Sequence, residues 1–280
     1  MSAPDPGSIT VVIPTYEWPA ALEVMLRALS EQKGSPFEVV VADDGSGEDT
    51  ARVVERWRGR LDLQHVWQPN EGFRKARILD LGALQARGDY LVFLDGDCIP
   101  RRDFMNAVRR AAFAGWFLST KRIDLREPLS KRVVEEHLPV WRWSAAQWLV
   151  RAPRNVGRPG LIVPARDRRR PWREGQPDFT PPAAAYCFVG VFREDFERVN
   201  GYDARSEGYN DGEDQDLAIR LRRSGLRCGW PGPLSTLVHL WHPHRKVPGD
   251  PSVPLFRQTE AGSHVEAVVG LRELARQASA

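Results

Sequence analysis

The chain has 280 residues, 42% of them hydrophobic, and its 40 basic and 37 acidic residues leave a formal charge of only +3. This near-balance argues against a protein that binds nucleic acid through a general excess of positive charge. The three cysteines have no paired spacing, so we expect a reducing, cytoplasmic compartment and no disulfide framework. No apolar run approaches the roughly 20 residues that span a bilayer, and no signal-peptide pattern opens the chain.

The N-terminal third of the chain alternates short apolar runs with segments of helical spacing. Strands are predicted at 9–13, 37–42, 61–67 and 90–94, and helices at 20–32, 49–58 and 73–86. Alternating strands and helices are joined by right-handed crossovers, which place parallel strands in one sheet. The pattern therefore predicts an α/β fold, with a Rossmann-like, mainly parallel sheet flanked by helices in a single domain.

Polar loops follow the predicted strands. They are Pro14-Thr15-Tyr16-Glu17, Asp43-Asp44-Gly45-Ser46, Asn70-Glu71-Gly72-Phe73-Arg74 and Asp95-Gly96-Asp97. In parallel sheets, ligands bind beyond the carboxyl ends of the strands, near the point where the strand order reverses. We therefore expect these four loops to converge on one crevice.

The Asp95-Gly96-Asp97 triplet places two carboxylates directly after a buried strand. Charged carboxylates in such a place need a neighbouring cation to offset the loss of water. Mg²⁺ and Mn²⁺ suit the role, since they take oxygen ligands and keep positions open for phosphates. The triplet thus indicates a metal that bridges to a diphosphate. Considered alone, it is equally compatible with a turn in which Gly96 supplies backbone freedom.

Residues 142–182 lose the periodic pattern and are rich in arginine, proline and tryptophan. Structureless segments of this length in compact domains are usually lids or binding loops. We therefore predict a long functional loop that contains a little helix.

The C-terminal part of the chain contains four further predicted features. They are a strand at 184–192, a helix at 217–224 that opens with Glu213-Asp214-Gln215-Asp216, an apolar run at 234–241 that ends in His242-Pro243-His244, and a surface helix at 264–274. Acidic residues in a first helical turn are common for dipole reasons alone, so the acidic run has a structural alternative.

Five motifs carry a family resemblance. They are Val12-Ile13-Pro14-Thr15-Tyr16, Val41-Ala42-Asp43-Asp44-Gly45-Ser46, residues 70–77 (Asn-Glu-Gly-Phe-Arg-Lys-Ala-Arg), residues 88–97 (Gly-Asp-Tyr-Leu-Val-Phe-Leu-Asp-Gly-Asp) and residues 208–217 (Gly-Tyr-Asn-Asp-Gly-Glu-Asp-Gln-Asp-Leu). In this order they resemble the inverting, metal-dependent glycosyltransferases of the GT-A fold, in the family 2 that contains chondroitin and hyaluronan synthases. The last motif also resembles the C-terminal region of galactosyltransferases.

The resemblance extends from Thr10 to about His244. It implies a GT-A domain over residues 1–244, with a nucleotide-binding half at 9–100 and an acceptor half at 101–244. Residues 245–280 would then form a C-terminal extension that carries the surface helix.

The resemblance also implies a nucleoside-diphosphate sugar donor, with a UDP-sugar favoured. Asp43 would accept the ring N–H of a uracil or similar base. The residues implied to line the donor nucleotide are Pro14, Thr15, Tyr16, Glu17, Asp43, Arg74, Arg77, Asp95 and Gly96. Arginine suits this place because a guanidinium pairs with anionic oxygen or stacks on a base.

The family's cation, Mn²⁺ or Mg²⁺, would be bound directly by Asp97 and also by Asp95, which touches the ribose. A late histidine often adds a further ligand in the family, and His239, His242 and His244 are the candidates. We favour His242 and then His239, because apolar neighbours would fix their rings. The metal would neutralise charge on the departing diphosphate.

Transfer to a hydroxyl requires a base that takes the hydroxyl proton. By resemblance that base is Asp214, while Glu213 or Asp211 would bind acceptor hydroxyls and Tyr209 would stack on a sugar ring. A direct displacement inverts the anomeric centre. The implied acceptor is a saccharide or lipid-linked molecule, in the synthesis of cell-surface polysaccharide or glycoconjugate.

Two other functions fit a fold of this kind. One is a non-catalytic nucleotide-sugar-binding protein, which would have little reason to keep Asp97 and Asp214 together. The other is a sugar-phosphate nucleotidyltransferase, which normally opens with a Gly-rich, Arg-containing phosphate loop that residues 11–15 do not provide.

The basic segment also suggests a peripheral contact with the inner face of the membrane. Trp141, Trp143 and Trp148 beside the arginines would rest on an anionic surface or grip a lipid diphosphate. The alternatives are a Trp-rich helix that packs on the sheet and an arginine run that is simply solvated. No nucleic-acid partner is expected, given the near-neutral charge.

Overall fold

Strands and helices alternate at the N-terminus, as the sequence predicts. The computed structural model, which describes residues 6–151, 187–208, 212–243 and 252–278, begins with β1 (Ile9–Thr15), α1 (Pro19–Ser30), β2 (Glu38–Asp43), α2 (Glu48–Trp57), β3 (Asp62–Trp67), α3 (Lys75–Gln85) and β4 (Tyr90–Leu94). Each boundary lies within two residues of the predicted one. The apolar periods are clear here because every strand has at least five residues.

Shorter elements follow. They are β5 (Cys98–Pro100), α4 (Phe104–Ala111), β6 (Trp116–Leu118), β7 (Arg122–Asp124), α5 (Glu127–Glu135), α6 (Ala145–Arg151), β8 (Phe188–Phe192), α7 (Arg193–Arg198), α8 (Gly212–Arg223), β9 (Arg227–Gly229), β10 (Leu237–His239), α9 (Ser252–Ala261) and α10 (Leu271–Ala278). Short 3₁₀ helices lie at Val140–Arg142 and Pro233–Ser235. A strand of three residues carries too few positions for a periodic pattern, so β5, β6, β7 and β9 escape prediction.

The main sheet has seven strands in the order β3-β2-β1-β4-β8-β6-β9. Strand β8 runs antiparallel to its neighbours β4 and β6, and the other neighbours pair in parallel. The strand order changes direction between β1 and β4, where the chain leaves one flank of the sheet for the other. A ligand crevice is therefore expected beyond the carboxyl ends of these two strands.

A second sheet of three strands, in the order β5-β10-β7, brings distant residues to this crevice. His239 of β10 is in register with Cys98 of β5 and with Asp124 of β7. The backbone N–H of Leu240 donates to the carbonyl oxygen of Asp97 at 2.8 Å. The small sheet thus fixes the late histidines beside the Asp-Gly-Asp turn.

Helices cover both faces of the main sheet. In β1, Val11 and Ile13 face one apolar cluster and Val12 faces the other, and all three side chains are fully buried. Parallel strands buried on both faces are typically continuous apolar runs rather than alternating patterns. This burial explains why the first strands are visible in the sequence.

The three tryptophans predicted to contact a membrane are core residues instead. Trp141, Trp143 and Trp148 are only 2%, 5% and 1% exposed. The ring N–H of Trp141 donates to Glu31 at 2.9 Å, and the rings of Trp143 and Trp148 meet edge to face. Buried rings cannot reach a membrane surface. The three tryptophans pack in the core, as the packing alternative expects, although Trp148 alone of them lies in an α-helix. The arginine-rich residues 152–182 lie outside the described residues.

Within the described part of the chain, none of the helices combines the length and the apolar character that crossing a bilayer requires. The C-terminal helix α10 begins at Leu271, whereas the sequence predicts that it begins at His264. The residues before it pair instead with the turn 199–204: Ala267 donates to Val199, and Ala204 donates to Val269. Leu271 and Leu274 are buried, with α10 against α3, so one face of the predicted surface helix is a core face.

Candidate active site

The Asp-Gly-Asp turn lies directly against the end of β1. A Cβ atom on Gly96 would come within 2.5 Å of the carbonyl oxygen of Pro14, closer than real Cβ contacts allow. Glycine is therefore required at this position, because any side chain would push the turn away from the strand. The close approach fixes Asp95 and Asp97 at the point where the strand order reverses.

Asp97 faces the two histidines predicted to bind metal. Its Oδ2 lies 3.2 Å from Nε2 of His242 and 3.4 Å from Nε2 of His239. The other ring nitrogen of His239, Nδ1, lies 3.3 Å from Oδ1 of Asp124, which also accepts a hydrogen bond from Arg122. One ligand atom from each of Asp97, His239 and His242 lies within 4.8 Å of the others, so all three can reach one ion.

The electrostatics of this group suit a cation. Burial alone would raise the pKa of Asp97, but His239 and His242 outweigh it and hold that pKa well below its usual range. Burial would likewise lower the pKa of His239, yet Asp97 and Asp124 raise it to about 10. The carboxylate therefore attracts positive charge strongly, and a metal ion would replace the protons of the imidazoles.

The donor set fits a divalent metal ion. One carboxylate and two imidazoles are a mixed oxygen and nitrogen set that divalent transition metals accept, and three protein ligands leave positions for phosphate oxygens. The Asp124 carboxylate orients His239 through its second nitrogen, as outer-shell carboxylates commonly do for metal-binding histidines. The described residues thus favour His239 and His242 together, whereas His244 lies outside them.

Asp95 offers a ligand atom within 4.8 Å of atoms of Asp97 and Cys98, so its predicted role as a metal ligand stays a prediction. Its carboxylate also contacts a second group, centred on Lys75. The Nζ atom of Lys75 lies 2.7 Å from Oδ1 of Asp95, 3.0 Å from Oε1 of Glu213 and 3.0 Å from Oδ2 of Asp214. Lys75 opens α3, while Glu213 and Asp214 lie in the first turn of α8. The N-termini of the two helices therefore meet at one ammonium group. We call Lys75 and its three carboxylates the lysine cluster.

Burial and the charges of the neighbouring groups together set the pKa values in this cluster. Burial would lower the pKa of Lys75, but Asp214, Asp95 and Glu213 raise that pKa well above its usual value. For Asp214, burial and the nearby Glu213 and Asp95 raise the pKa well above that of an ordinary aspartate, although Lys75 opposes them. A carboxylate with a raised pKa is suited to receive a proton during a reaction.

A second contact orients the Asp214 carboxylate. The hydroxyl group of Tyr202 donates to its Oδ1 at 3.3 Å, and the backbone N–H of Tyr202 donates to Oδ1 of Asp80 at 2.9 Å. The fully buried Arg220 donates to Asp216 and to the carbonyl oxygen of Gly201, next to Tyr202. Helix α3 therefore holds Asp214 directly through Lys75 and indirectly through Asp80.

The predicted base-binding aspartate, Asp43, ends β2. Its Oδ1 accepts the backbone N–H of Ser46 at 2.8 Å, and its Oδ2 lies 3.0 Å from Nε2 of His65 on the neighbouring strand. The Asp43 side chain is buried, and Thr15 of β1 is in register with it. Tyr16, the next residue, is 43% exposed, and its hydroxyl group accepts a hydrogen bond from Asn70. An oriented carboxylate next to an open aromatic ring is an arrangement that can bind a nucleobase.

The other residues predicted at the donor site hold its loops together. The carboxylate of Glu17 accepts the backbone N–H of Gly47 at 2.6 Å, which ties the loop after β1 to the loop after β2. Arg74 donates its guanidinium N–H groups to Glu71 and to the carbonyl oxygen of Pro69, while Arg77 donates to Gln68. Both arginines thus bind the loop after β3, and their contact with a nucleotide stays a prediction.

Two of the predicted acceptor residues, Tyr209 and Asp211, lie outside the described residues. Glu213 is described, but it belongs to the lysine cluster, where burial raises its pKa against the effect of Lys75. Its predicted contact with acceptor hydroxyls stays a prediction.

Sequence reasoning missed Lys75, His65, Asp124 and Tyr202. A signal existed for Lys75: a cation in the first turn of a helix is unfavourable next to the positive end of the helix dipole, so it requires an anionic partner. His65 could have been found from its place on β3 beside Asp43. Asp124 and Tyr202 come from short elements whose neighbours only the fold reveals.

The fold and this crevice together define a class of protein. A mainly parallel sheet with one reversed strand, and an Asp-Gly-Asp turn where the strand order changes, is the architecture of GT-A glycosyltransferases. Three comparisons with known proteins agree with this class.

Residues 10–116 match the family "Glycosyl transferase family 2", and residues 176–243 match "N-terminal domain of galactosyltransferase". The validoxylamine A glucosyltransferase of Streptomyces hygroscopicus subsp. limoneus is 32% identical over 247 residues, which cover 80% of this chain and 51% of that protein. Residues 10–116 of the chain thus carry the family 2 glycosyltransferase match, and the longer similarity is to a glycosyltransferase as well. The chain spans about half the length of this curated relative.

Solved structures share the fold. A mannosyltransferase from Pyrobaculum calidifontis in complex with GDP-Man and Mn²⁺ has a TM-score of 0.55 and 25% identity, over 91% of this chain and 63% of its own. The TarS protein of S. aureus in complex with UDP-GlcNAc has a TM-score of 0.57 and 17% identity, over 97% of this chain and 73% of its own. The predicted GT-A fold is thereby confirmed.

Proposed function

We propose that this chain transfers a sugar from a nucleoside-diphosphate sugar to an acceptor hydroxyl, with the help of a divalent cation and with inversion at the anomeric carbon. The observation that carries the proposal is the pair of adjacent groups at the carboxyl ends of β1 and β4. One group, Asp97 with His239 and His242, can hold a metal; the other contains the buried carboxylate of Asp214.

A UDP-sugar is the favoured donor. The support is the oriented Asp43 carboxylate beside Tyr16, which offers an acceptor for the ring N–H of uracil. One structural neighbour binds UDP-GlcNAc and another binds GDP-Man with Mn²⁺, so both nucleotides belong in the test. Guanine also presents a ring N–H, which makes GDP the natural competitor.

Asp214 is the proposed base. As the acceptor oxygen bonds to the anomeric carbon, its proton passes to the Asp214 carboxylate, and the electron pair of the broken bond leaves with the diphosphate. Oδ2 of Asp214 is bound by Lys75 at 3.0 Å, whereas among the described residues Oδ1 has the longer contact with Tyr202 at 3.3 Å, so Oδ1 is the atom proposed to take the proton. When bound, the cation supplies Lewis-acid neutralisation of charge on the departing diphosphate.

The first experiment is isothermal titration of UDP into the purified protein, with Mn²⁺ and with a chelator, on wild type and on Asp97→Ala. We expect binding that requires both the metal and Asp97. Asp62→Ala is the matched control, since Asp62 is an exposed aspartate paired with Arg87 at the start of β3. If UDP fails to bind under all conditions, GDP and dTDP come next, and binding without turnover of any nucleotide sugar supports a non-catalytic binding protein instead.

The proposed acceptor rests on the family resemblance: a saccharide or lipid-linked molecule in glycoconjugate synthesis. A peripheral contact with the inner face of the membrane is proposed from the basic, tryptophan-rich segment, but the burial of Trp141, Trp143 and Trp148 leaves the arginines as its remaining basis. Turnover with a water-soluble acceptor, compared with and without anionic vesicles, tests both. Equal rates and no vesicle binding would remove the membrane contact and leave the transfer reaction intact.

A further inference from the structure

Lys75 occupies an unusual position for a cation. It is the first residue of α3, where the exposed N–H groups of the helix already concentrate positive charge. The helix has no acidic residue in its first turn to offset the lysine. Carboxylates from outside the helix compensate instead, at 2.7–3.0 Å.

The number of hydrogen-bond donors on Lys75 equals the number of carboxylates around it. An ammonium group has three N–H donors and no acceptor, and here three carboxylates surround it. One of them, Asp95, belongs to the turn that also carries the metal-facing Asp97. The other two, Glu213 and Asp214, belong to α8, so the lysine joins the donor side of the crevice to the proposed base.

From these contacts we infer that Lys75 is a positioning residue, which orients the Asp214 carboxylate toward the acceptor and ties it to the donor-side carboxylate Asp95. The inference rests on the proposed function and deepens it. In this role Lys75 acts through its contact with Asp214 and not through a contact with the transferred sugar or the acceptor hydroxyl. By binding Oδ2, the ammonium leaves Oδ1 as the atom that takes the proton.

Removing the cation leaves three carboxylates in contact with no partner charge. Of the three, Glu213 and Asp214 are buried and Asp95 is partly exposed; like charges repel, and the group with the most raised pKa takes up a proton first. Burial and its neighbours raise the pKa of Asp214 even with Lys75 present. Without Lys75, the Asp214 carboxylate is therefore expected to bind a proton before the reaction begins, so it can no longer act as a base. The contacts of Asp97 and of Asp43 are expected to stay as they are.

The test compares Lys75→Met, Lys75→Arg and a control, Lys33→Met, in which an exposed surface lysine loses its pair with Asp103. We expect Lys75→Met to lower kcat about 100-fold, the scale of losing a general base, with the donor KM and the Mn²⁺-dependent affinity for UDP within about threefold of wild type. Lys75→Arg keeps the charge and should restore kcat to within about tenfold of wild type. Lys33→Met should match wild type.

Three outcomes overturn the inference. An unchanged kcat in Lys75→Met would show that the lysine does not serve the base. A parallel loss of UDP affinity would make it a direct donor-binding residue. Equal losses in Lys75→Arg and Lys75→Met would show that the shape of the side chain, and not its charge, is what matters.

Folding and the proposed function are checked separately. If Lys75→Met fails to fold by circular dichroism, the double variant Lys75→Met/Glu213→Gln, which has one buried carboxylate fewer, is compared with Glu213→Gln alone under the same criteria. If wild type itself neither binds a nucleotide nor turns over a nucleotide sugar, the proposed function fails and takes this inference with it. If wild type turns over nucleotide sugar and the kcat of Lys75→Met equals that of wild type, the inference about Lys75 fails while the proposed function stands.

Discussion

The metal-facing group and the lysine cluster use the same kind of side chain for opposite purposes. In the first, one carboxylate, Asp97, faces two imidazoles, which can release their protons when a metal binds. In the second, three carboxylates surround an ammonium ion that belongs to the protein itself. The cation of the second group is a lysine of the chain, whereas the cation proposed for the first group is a metal ion from solution.

The difference shows how a protein assigns roles to neighbouring carboxylates. Asp95 and Asp97 are two residues apart in one turn and offer ligand atoms within 4.8 Å of each other, yet each also has its own partner. Lys75 contacts Asp95 and, from the same ammonium group, Glu213 and Asp214 of α8, whereas Asp97 contacts His239 of the small sheet. These counterions distinguish the proposed metal group from the proposed base.

The largest effect is expected from Asp97→Asn, which removes charge from the metal-facing group. We expect turnover to fall more than about 1,000-fold and Mn²⁺-dependent UDP binding to disappear, because metal and donor depend on this carboxylate together. Calorimetry and a coupled UDP-release assay measure both quantities. Retained metal-dependent binding would contradict the assignment, and Asp62→Asn serves as the control.

Asp214→Asn is expected to lower kcat by about 10² to 10⁴, the usual contribution of a general base, while UDP affinity stays near that of wild type. This variant separates the two groups: the metal group fails in binding, and the lysine cluster fails in chemistry. Single-turnover kinetics beside calorimetry test the split. Loss of both properties at once would place Asp214 in the donor site.

Asp124→Asn tests the support of His239. We expect Mn²⁺ affinity to weaken about 10-fold or more, because an outer carboxylate orients its histidine and strengthens it as a ligand. His239→Ala should weaken binding at least as much. Metal titration by calorimetry gives both values, and unchanged affinity in Asp124→Asn would leave Asp124 with a structural role only.

The smallest expected effect is a shift in pH dependence. A base must be deprotonated to act, so kcat/KM should rise with pH through the pKa of Asp214. Burial and the neighbouring carboxylates raise that pKa well above the ordinary 3.8, so the acid limb should lie at higher pH than for an exposed aspartate. A pH profile of the wild-type enzyme measures it. An acid limb at the ordinary aspartate value would contradict a buried base.

The sequence predicts the N-terminal half well because its strands are long and buried on both faces. Val11, Val12 and Ile13 form a continuous apolar run for that reason, and the loops that follow such strands can be assigned to one crevice. The Asp-Gly-Asp turn and Asp43 could be found in this way. Their family resemblance then named their expected roles.

The rest of the site depends on contacts between distant segments. Asp124 reaches His239 only because β7 and β10, three residues each, pair in a small sheet. Tyr202 reaches Asp214 from a turn that Arg220 braces from within the core. Such short elements have no periodic signal, so no pattern along the chain reveals which side chains they bring together.

The docking of the C-terminal segment bears on how this protein can be divided. A cut near residue 244, the boundary that the motifs suggest, would remove the strand-like partner of the turn 199–204 and expose the apolar side of α3 that Leu271 covers. Asn200, whose side chain binds Ala267 and Glu273, would lose both partners. The turn 199–204, which carries Tyr202, would lose these contacts. We therefore expect a fragment that keeps every motif to have reduced activity and, because of the exposed apolar surface, to aggregate.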